Sequence, residues 1–427
     1  MSERLNLNDA EARAILRAVH AAAIEAALPG PAMRGHIPPP PRGRCVVVGA
    51  GKASAAMAAA LDRALHEAWG PQVPVSGVVA TRYGHAVAAG RIEIVEAGHP
   101  VPDANSVMAA RRVMSAVAGL GPDDLVIALV SGGGSACMEW PVDGMELDDL
   151  RALGRALLES GAGIGEINLV RRHLSRVKGG RLAAAAAPAR VYTLLISDIP
   201  GDDPAAIASG PTLADGTTAQ DALAIIERYG LPVPNAVRRA MLVAPACTAA
   251  GEYRIIASPQ QALIAAADKA RELGLTPLLL GDAIEAEARE LGRVMAGIAL
   301  SVRQWGQPVA APALLLSGGE ASVTLAGGSF GKGGRNTELA LSLALSLQGA
   351  PGIWALAADS DGIDGSEDAA GAIIAPDTLT RGADQALNGA DFLARHDSYS
   401  YFAALDDLLI TGPTLTNVND IRLILVA

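Results

Sequence analysis

Gly331-Lys332-Gly333-Gly334-Arg335-Asn336-Thr337-Glu338 places two cations in a glycine-rich loop that runs directly into Leu339–Leu345, an apolar stretch suited to a buried helix. Glycines let a backbone approach an anion closely and turn its N–H groups toward it, and a helix start adds partial positive charge. Lys and Arg in that setting suggest phosphate handling. Two further loops offer related chemistry. Gly49-Ala50-Gly51-Lys52-Ala53-Ser54 sets a lysine at a helix start, where the helix dipole disfavours it unless an anion is near. Ser131-Gly132-Gly133-Gly134-Ser135-Ala136 supplies three glycines between two hydroxyls and could form a nest for phosphate or carboxylate.

Each of these loops excludes something. The first lacks the third glycine of a dinucleotide fingerprint, because Ser54 stands in that place, and it lacks P-loop spacing. The second is not a Gly-x-Ser-x-Gly nucleophile elbow, and no histidine obviously pairs with either serine. A tight turn before a core helix remains the bland alternative for each.

Charged side chains form two other groups. Asn168 to Arg181 is the densest basic segment, and at helical spacing Arg171, Ser175 and Lys178 share a face. Such a face could grip a carboxylate or phosphate, or simply be solvated. Asp198 with Asp202, and Asp359 with Asp361 and Asp364, could hold Mg²⁺ through one or two carboxylates and waters. Phosphoryl transfer needs that charge neutralised. Alternatively, these are turns built by Asp and Gly. The seven histidines are scattered; His99, in Gly98-His99-Pro100, sits in a turn.

These motifs need elements to hold them. Asn8-Asp9-Ala10-Glu11 resembles a capping box opening a helix to about Leu28. After a Pro-rich stretch, Cys45–Val48 reads as a buried strand. Further strands are expected at 76–81, 91–97, 124–130 and 191–196, with helices between them. Leu231-Pro232-Val233-Pro234-Asn235 marks a boundary between residues 1–235 and 236–427. Beyond it, strands are expected at 253–257, 276–280, 313–316, 353–358, 408–410 and 421–426, and helices at 260–273 and 283–305. The alternation, in two successive series, indicates an α/β fold with mainly parallel sheets. The loops all fall after strands, where open parallel sheets bind ligands.

Composition narrows the function. The chain has 427 residues, 50% of them hydrophobic and 3% aromatic, so its core must be built from Ala, Leu, Val and Ile. A net charge of −11 argues against nucleic acid or an anionic membrane as partner. It leaves room for a small anion held in a local basic cleft. Cys45, Cys137 and Cys247 form neither a disulfide framework nor a zinc pattern. No run approaches the ~18 apolar residues of a membrane span, and the N-terminus has no signal-peptide core. A cytoplasmic protein is expected; a homo-oligomer is compatible with the sequence.

Taken together and in order, these loops, with Ser197-Asp198-Ile199-Pro200-Gly201-Asp202, Ser209-Gly210-Pro211-Thr212, Ser317-Gly318-Gly319-Glu320 and Asp361-Gly362-Ile363-Asp364-Gly365, resemble the class II glycerate kinases. These are also called glycerate 2-kinases or the MOFRL family, and some members carry the label hydroxypyruvate reductase. The resemblance spans about Ala14 to Val426. It implies two Rossmann-like α/β domains with an interdomain cleft, ATP-dependent phosphorylation of D-glycerate at its 2-hydroxyl, with Mg²⁺, and a C-terminal module with its core at about 313–420. The family's active-site lysine and arginine fall on Lys52 and Arg335, and Asp198 is the expected base. Gly49, Gly51, Ser131, Gly132, Gly133, Gly134, Ser135, Gly331, Lys332, Gly333, Gly334 and Asn336 are expected to hold ATP. Arg171, Lys178 and His99 are expected to face glycerate, and Asp202, Asp361 and Asp364 the metal. A kinase for another hydroxy acid, a hydroxypyruvate reductase and a non-catalytic sugar-acid sensor are the alternatives.

Overall fold

The computed structural model describes residues 7–243, 251–325 and 330–427. Cys247 lies outside them. Two compact units divide the chain. One comprises Pro29–Asp198 and Asp202–Ile256; the other comprises the segment ending at Leu28, Ile199–Gly201 and Ala257–Ala427. The change of unit therefore comes at 256–257 rather than at the Pro-rich segment near 235, and the N-terminal helix belongs with the C-terminal unit.

The first unit is built on β1 (Cys45–Ala50), β2 (Val75–Arg82), β3 (Ile92–Ala97), β4 (Leu125–Ser131), β5 (Arg190–Ile196) and β6 (Glu252–Ala257), in the order β3-β2-β1-β4-β5-β6. The pairings among β1 to β5 are parallel. Parallel strands are covered on both faces, which explains why β1 and β4 are buried along their whole length and read as unbroken apolar runs. The order reverses between β1 and β4, so the segments leaving these two strands diverge and leave a crevice at the sheet's C-terminal edge. Gly49 and Gly51 serve that geometry. Their φ angles are +152° and +143°, and a Cβ on either would collide with the backbone of Leu129 or Ser131.

The second unit carries β7 (Thr276–Gly281), a two-residue parallel pair of β8 (Ala286–Glu287) and β10 (Ala321–Ser322), and β9 (Ala313–Ser317), β11 (Ile353–Asp359), β12 (Gly371–Ile374), β13 (Leu408–Leu409) and β14 (Asp420–Val426). Its six-stranded sheet runs β13-β12-β11-β14-β9-β7. Only β7 and β9 pair in parallel there; the other four pairings are antiparallel. The expectation of a mainly parallel sheet holds for the first unit and not for this one. The chain returns from β11 to β12 through a short loop without a helix, too short for a parallel crossover.

Local signals behave as the chemistry of the residues requires. Asn8 Oδ1 accepts the Glu11 amide and Glu11 Oε2 the Asn8 amide, both at 2.9 Å, opening the helix Asp9–Ala27. The helix expected from 283 starts at Ala288 instead, because Ala286–Glu287 is drawn into β8. It meets the helix Arg335–Leu347 at Gly292, where a Cβ would lie 2.7 Å from the Leu339 carbonyl oxygen. With few aromatics available, Tyr401 and Phe402 fill the deepest part of this core. Among the described residues, no helix is long and apolar enough to cross a membrane.

Candidate functional site

The crevice between β1 and β4 gathers the first group of chemical residues. The Lys52 amide donates to the Gly132 carbonyl at 2.8 Å, tying the two loops together. Ser131 is fully buried, and its hydroxyl accepts the Ala53 amide at 3.1 Å and lies 3.3 Å from the Ser54 hydroxyl. Ser54 also donates to the Leu129 carbonyl at 3.1 Å. Gly49, Gly51 and Ser131, expected to hold a nucleotide, are therefore spent on joining β1 to β4. The Ser54 side chain fills the place where a dinucleotide fold needs its third glycine.

Gly132, Gly133, Gly134 and Ser135 fare differently. Among the described residues, no turn or loop hydrogen bond uses the amides of Gly133, Gly134 or Ser135 as donors. Gly133 has φ +77°, and a Cβ there would lie 2.9 Å from His99 Cδ2 and 3.1 Å from Lys52 Cγ. The imidazole of His99 and the stem of Lys52 are thus both packed against this glycine. Ser135 Oγ meets Ser209 Oγ at 3.1 Å. Ser209 and its neighbour Ala208 have φ of +61° and +49°, and a Cβ on Gly134 would strike Ala208. Two non-glycine residues in the left-handed region cost ~1–3 kcal/mol each, and such strain concentrates at functional sites. Asp198, half-buried, follows β5 at the same edge of the sheet. Asp202 has φ +55°, and its Oδ1 is buried with no hydrogen-bond partner.

Lys178 does not face a ligand. It is 1% exposed and forms an ion pair with Glu139, which is 0% exposed. Burial presses the Lys178 pKa down while Glu139 supports the charge. The following amides, Gly179 and Gly180, donate to the carbonyls of Ser209 and Gly210 at 3.1 and 2.8 Å. Lys178 therefore anchors the strained turn from inside. Sequence reasoning missed Glu139, since nothing in Met138-Glu139-Trp140 distinguishes a buried acid from a surface one. Arg172, next to Arg171, pairs with Asp215. Arg171 itself lines a cavity on the other side of the Pro100 turn.

The glycine loop before the helix Arg335–Leu347 departs most from expectation. Three of its amides are taken by the protein: Gly331 donates to the Arg395 carbonyl at 3.0 Å, Lys332 to Asp397 Oδ1 at 3.0 Å and Gly334 to the Thr337 hydroxyl at 3.0 Å. The Lys332 ammonium pairs with Glu367 at 3.0 Å. The helix start is capped by Asp364, whose Oδ1 accepts the Asn336 amide at 2.9 Å and whose Oδ2 accepts the Thr337 amide at 2.8 Å and hydroxyl at 2.9 Å. The anion that this loop and helix invite is the protein's own carboxylate. The Gly331, Lys332, Gly334 and Asn336 amides, expected to hold ATP, are thus engaged within the unit, and both oxygens of Asp364, expected to hold the metal, are spent on the helix start. Burial pushes the Asp364 pKa up to about 6, against the bonds from Asn336 and Thr337.

Arg335 stands at the centre of an acidic network. Its Nε donates to Asp420 Oδ1 at 2.8 Å, Nη1 to Glu320 Oε1 at 2.6 Å and Nη2 to Asp359 Oδ2 at 2.8 Å. Burial alone would lower its pKa; Asp420, Asp359 and Glu320 outweigh burial and raise it. A guanidinium has five N–H donors, so two remain for a ligand. Asp420 also accepts from Asn336 Nδ2 and Arg422, each at 2.8 Å. Asp361 is buried, and its Oδ1 accepts the Ile363 amide at 2.9 Å. Among the described residues, no group of three or more His, Cys, Asp or Glu is placed to hold a metal ion by itself. Cys45 and Cys137 are buried free thiols, their pKa values pushed up to about 12 chiefly by burial, and so are chemically inert.

Comparison with known proteins places these features in a lineage. Residues 15–242 match a family described as a domain of unknown function, DUF4147, and residues 313–420 match the MOFRL family. A protein of Agrobacterium vitis, provisionally named a hydroxypyruvate reductase, is 59% identical over 99% of this chain and 96% of its own. A protein of Thermotoga maritima named D-glycerate 2-kinase is 41% identical over 93% of this chain and 94% of its own. The crystal structure of a glycerate kinase from Thermotoga maritima superposes with a TM-score of 0.88 at 40% identity, covering 97% of this chain and 99% of that one.

Proposed function

Because the chain belongs to the glycerate 2-kinase (MOFRL) family, we propose that it transfers the γ-phosphoryl group of ATP to D-glycerate, and that the acceptor is the 2-hydroxyl. The observation that carries this reading is the corner between β1 and β4. There Lys52 and His99 pack on Gly133, beside amides that no other turn or loop group uses. Amides and a lysine directed at one place stabilise charge spread over a transferring phosphoryl group. In this mechanism the amides from Gly132 to Ser135 hold phosphate oxygens, and Lys52 neutralises their charge. Asp198 accepts the hydroxyl proton. His99 orients the acceptor. Within its own unit, Arg335 keeps two N–H groups beyond its bonds to Asp420, Glu320 and Asp359.

Mg²⁺, when bound with ATP, would neutralise charge on the phosphate oxygens. Asp202 fits such a cation through its buried Oδ1, which has no hydrogen-bond partner among the described residues. A magnesium held by one or two carboxylates, with waters and phosphate oxygens as the remaining ligands, needs no larger protein cage.

The reductase name borne by the Agrobacterium vitis relatives is disfavoured by the same corner, because Gly49, Gly51 and Ser54 are consumed in strand packing. The deciding experiment is ADP release with ATP, Mg²⁺ and D-glycerate, with the product assigned by phosphorus NMR. Formation of 2-phosphoglycerate, lost in a folded Lys52→Ala variant, is expected. Arg335→Lys is the better second variant, since Arg335→Ala would remove the guanidinium that the buried Asp359 and Asp420 share. No phosphorylated product, together with NAD(P)H oxidation by hydroxypyruvate, would overturn the reading.

A further inference from the structure

The first unit contains a cavity of about 440 Å³ that the mechanism above does not use. Its walls are the turn Pro100–Pro102, the helix Leu147–Glu159 and the helix Ile164–His173. The residues on it follow helical spacing: Arg151, Arg155 and Leu158 on the first helix, Ile167 and Arg171 on the second. Val101, Leu150, Leu158 and Ile167 make an apolar lining. Arg151 is engaged: Nε donates to the Pro102 carbonyl at 2.8 Å, and Nη1 to Asp148 Oδ1 at 2.6 Å. That arginine pins the turn to the helix and fixes the wall.

Arg155 and Arg171 are different. Among the described residues, neither is in an ion pair, a side-chain hydrogen bond or a stacking contact, although the chain has more acids than bases. Arg155 is exposed and Arg171 half-buried. Counting Arg151, Arg155 and Arg171 against Asp148, the charged groups on the cavity sum to +2, in a chain whose net charge is −11. Two unspent guanidinium groups beside an apolar wall describe a ligand with an anionic part and a flat or apolar part.

We propose that this cavity is the nucleotide subsite. The base lies against Val101, Leu150, Leu158 and Ile167, and Arg155 and Arg171 hold phosphate oxygens. The inference rests on the kinase reading and deepens it. Continuity supports it: Pro100 lines the cavity, and the preceding His99 packs on Gly133 beside Lys52. A nucleotide seated here would extend its phosphates toward the amides that the mechanism uses. Arg171 then serves ATP rather than the glycerate carboxylate. The volume lies within the ~300–1,000 Å³ usual for small-molecule sites.

The test is calorimetric titration of the full chain with Mg-ADP and, separately, with D-glycerate. The proteins are wild type, Arg155→Glu and Arg171→Gln, each checked for an unchanged melting temperature. Arg155 is exposed, so its variant is expected to fold. The expected result is ADP affinity reduced about tenfold or more in both variants, with glycerate affinity unchanged. In turnover, KM for ATP rises and KM for glycerate does not. Unchanged ADP affinity in both variants would overturn the subsite and leave the kinase reading intact, provided wild type binds ADP and forms 2-phosphoglycerate. Loss of glycerate affinity instead would assign the cavity to the acceptor. Wild type that neither binds ADP nor turns over would remove both readings.

Discussion

Replacing Lys178 by methionine separates a structural lysine from a substrate-binding one. The side chain is 1% exposed and its partner Glu139 is 0% exposed. Lys178→Met keeps the length and removes the charge, leaving the Glu139 carboxylate in a site closed to water. Breaking one side of a buried ion pair costs ~3–5 kcal/mol, because the remaining charge is uncompensated. Glu139 retains one bond, from the Trp140 amide to Oε1 at 3.0 Å, which places the loss toward the lower end of that range. Glu139→Gln should cost less, since its amide oxygen can still accept from Lys178, whose pKa is already pressed down by burial. The double variant Lys178→Met/Glu139→Gln leaves no charge and keeps an acceptor for Trp140, so most of the stability should return. Urea unfolding followed by tryptophan fluorescence reads the first unit, because Trp140 adjoins the pair and stacks under Arg176 at 4.4 Å. D-glycerate KM should stay near wild type in the double variant. The reasoning fails if Lys178→Met lies within ~1 kcal/mol of wild type while glycerate KM rises tenfold, since the lysine would then reach the substrate.

Three other outcomes follow from the same geometry. Gly133→Ala should cost only ~1 kcal/mol for its left-handed φ of +77°. Its Cβ would nonetheless displace the Lys52 stem and the His99 ring, and kcat should fall ~100-fold; wild-type kcat in a folded variant would refute the corner. Asp364 titrates at about 6 in the folded chain against an ordinary 3.8. The folded state therefore binds the extra proton between those values, and stability falls as pH rises through 4 to 6, by ~3 kcal/mol at most. Urea midpoints measured across pH 4 to 7.5 should show this slope in wild type and a flatter profile in Asp364→Asn, and equal slopes would count against it. Ser54→Ala should cost ~1 kcal/mol through its lost bond to Leu129 without creating NAD(P)H oxidation with hydroxypyruvate; measurable oxidation would revive the reductase alternative.

Much of the fold was legible because its signals are local. The capping box at Asn8 and Glu11, the apolar runs of β1 and β4, and the glycine turns after them depend on neighbours in sequence. What could not be read depends on partners far along the chain. Asp364 lies 28 residues from Asn336, and Asp420 lies 85 from Arg335, yet these carboxylates decide what the Gly331–Arg335 loop does. The same holds for Glu139, 39 residues before Lys178. β12 escaped notice because Gly371–Ile374 is too short for a clear pattern, and without it the direction of the second sheet could not be inferred.

The two glycine loops illustrate why composition alone misranks a site. Gly331–Arg335 has the richer sequence, with two cations and a strong helix behind it, but its Gly331, Lys332 and Gly334 amides are satisfied by Arg395, Asp397 and Thr337 from within the unit. Ser131–Ser135 has no cation of its own, yet no turn or loop bond among the described residues uses the amides of Gly133, Gly134 and Ser135, and Lys52 and His99 reach it from other loops. A loop binds an external anion when its donors are left over, and that remainder is a property of the whole folded unit. By the same accounting, Arg155 and Arg171 matter more than the denser basic run around them. Arg172 and Lys178 have acids of their own, and among the described residues Arg155 and Arg171 have none.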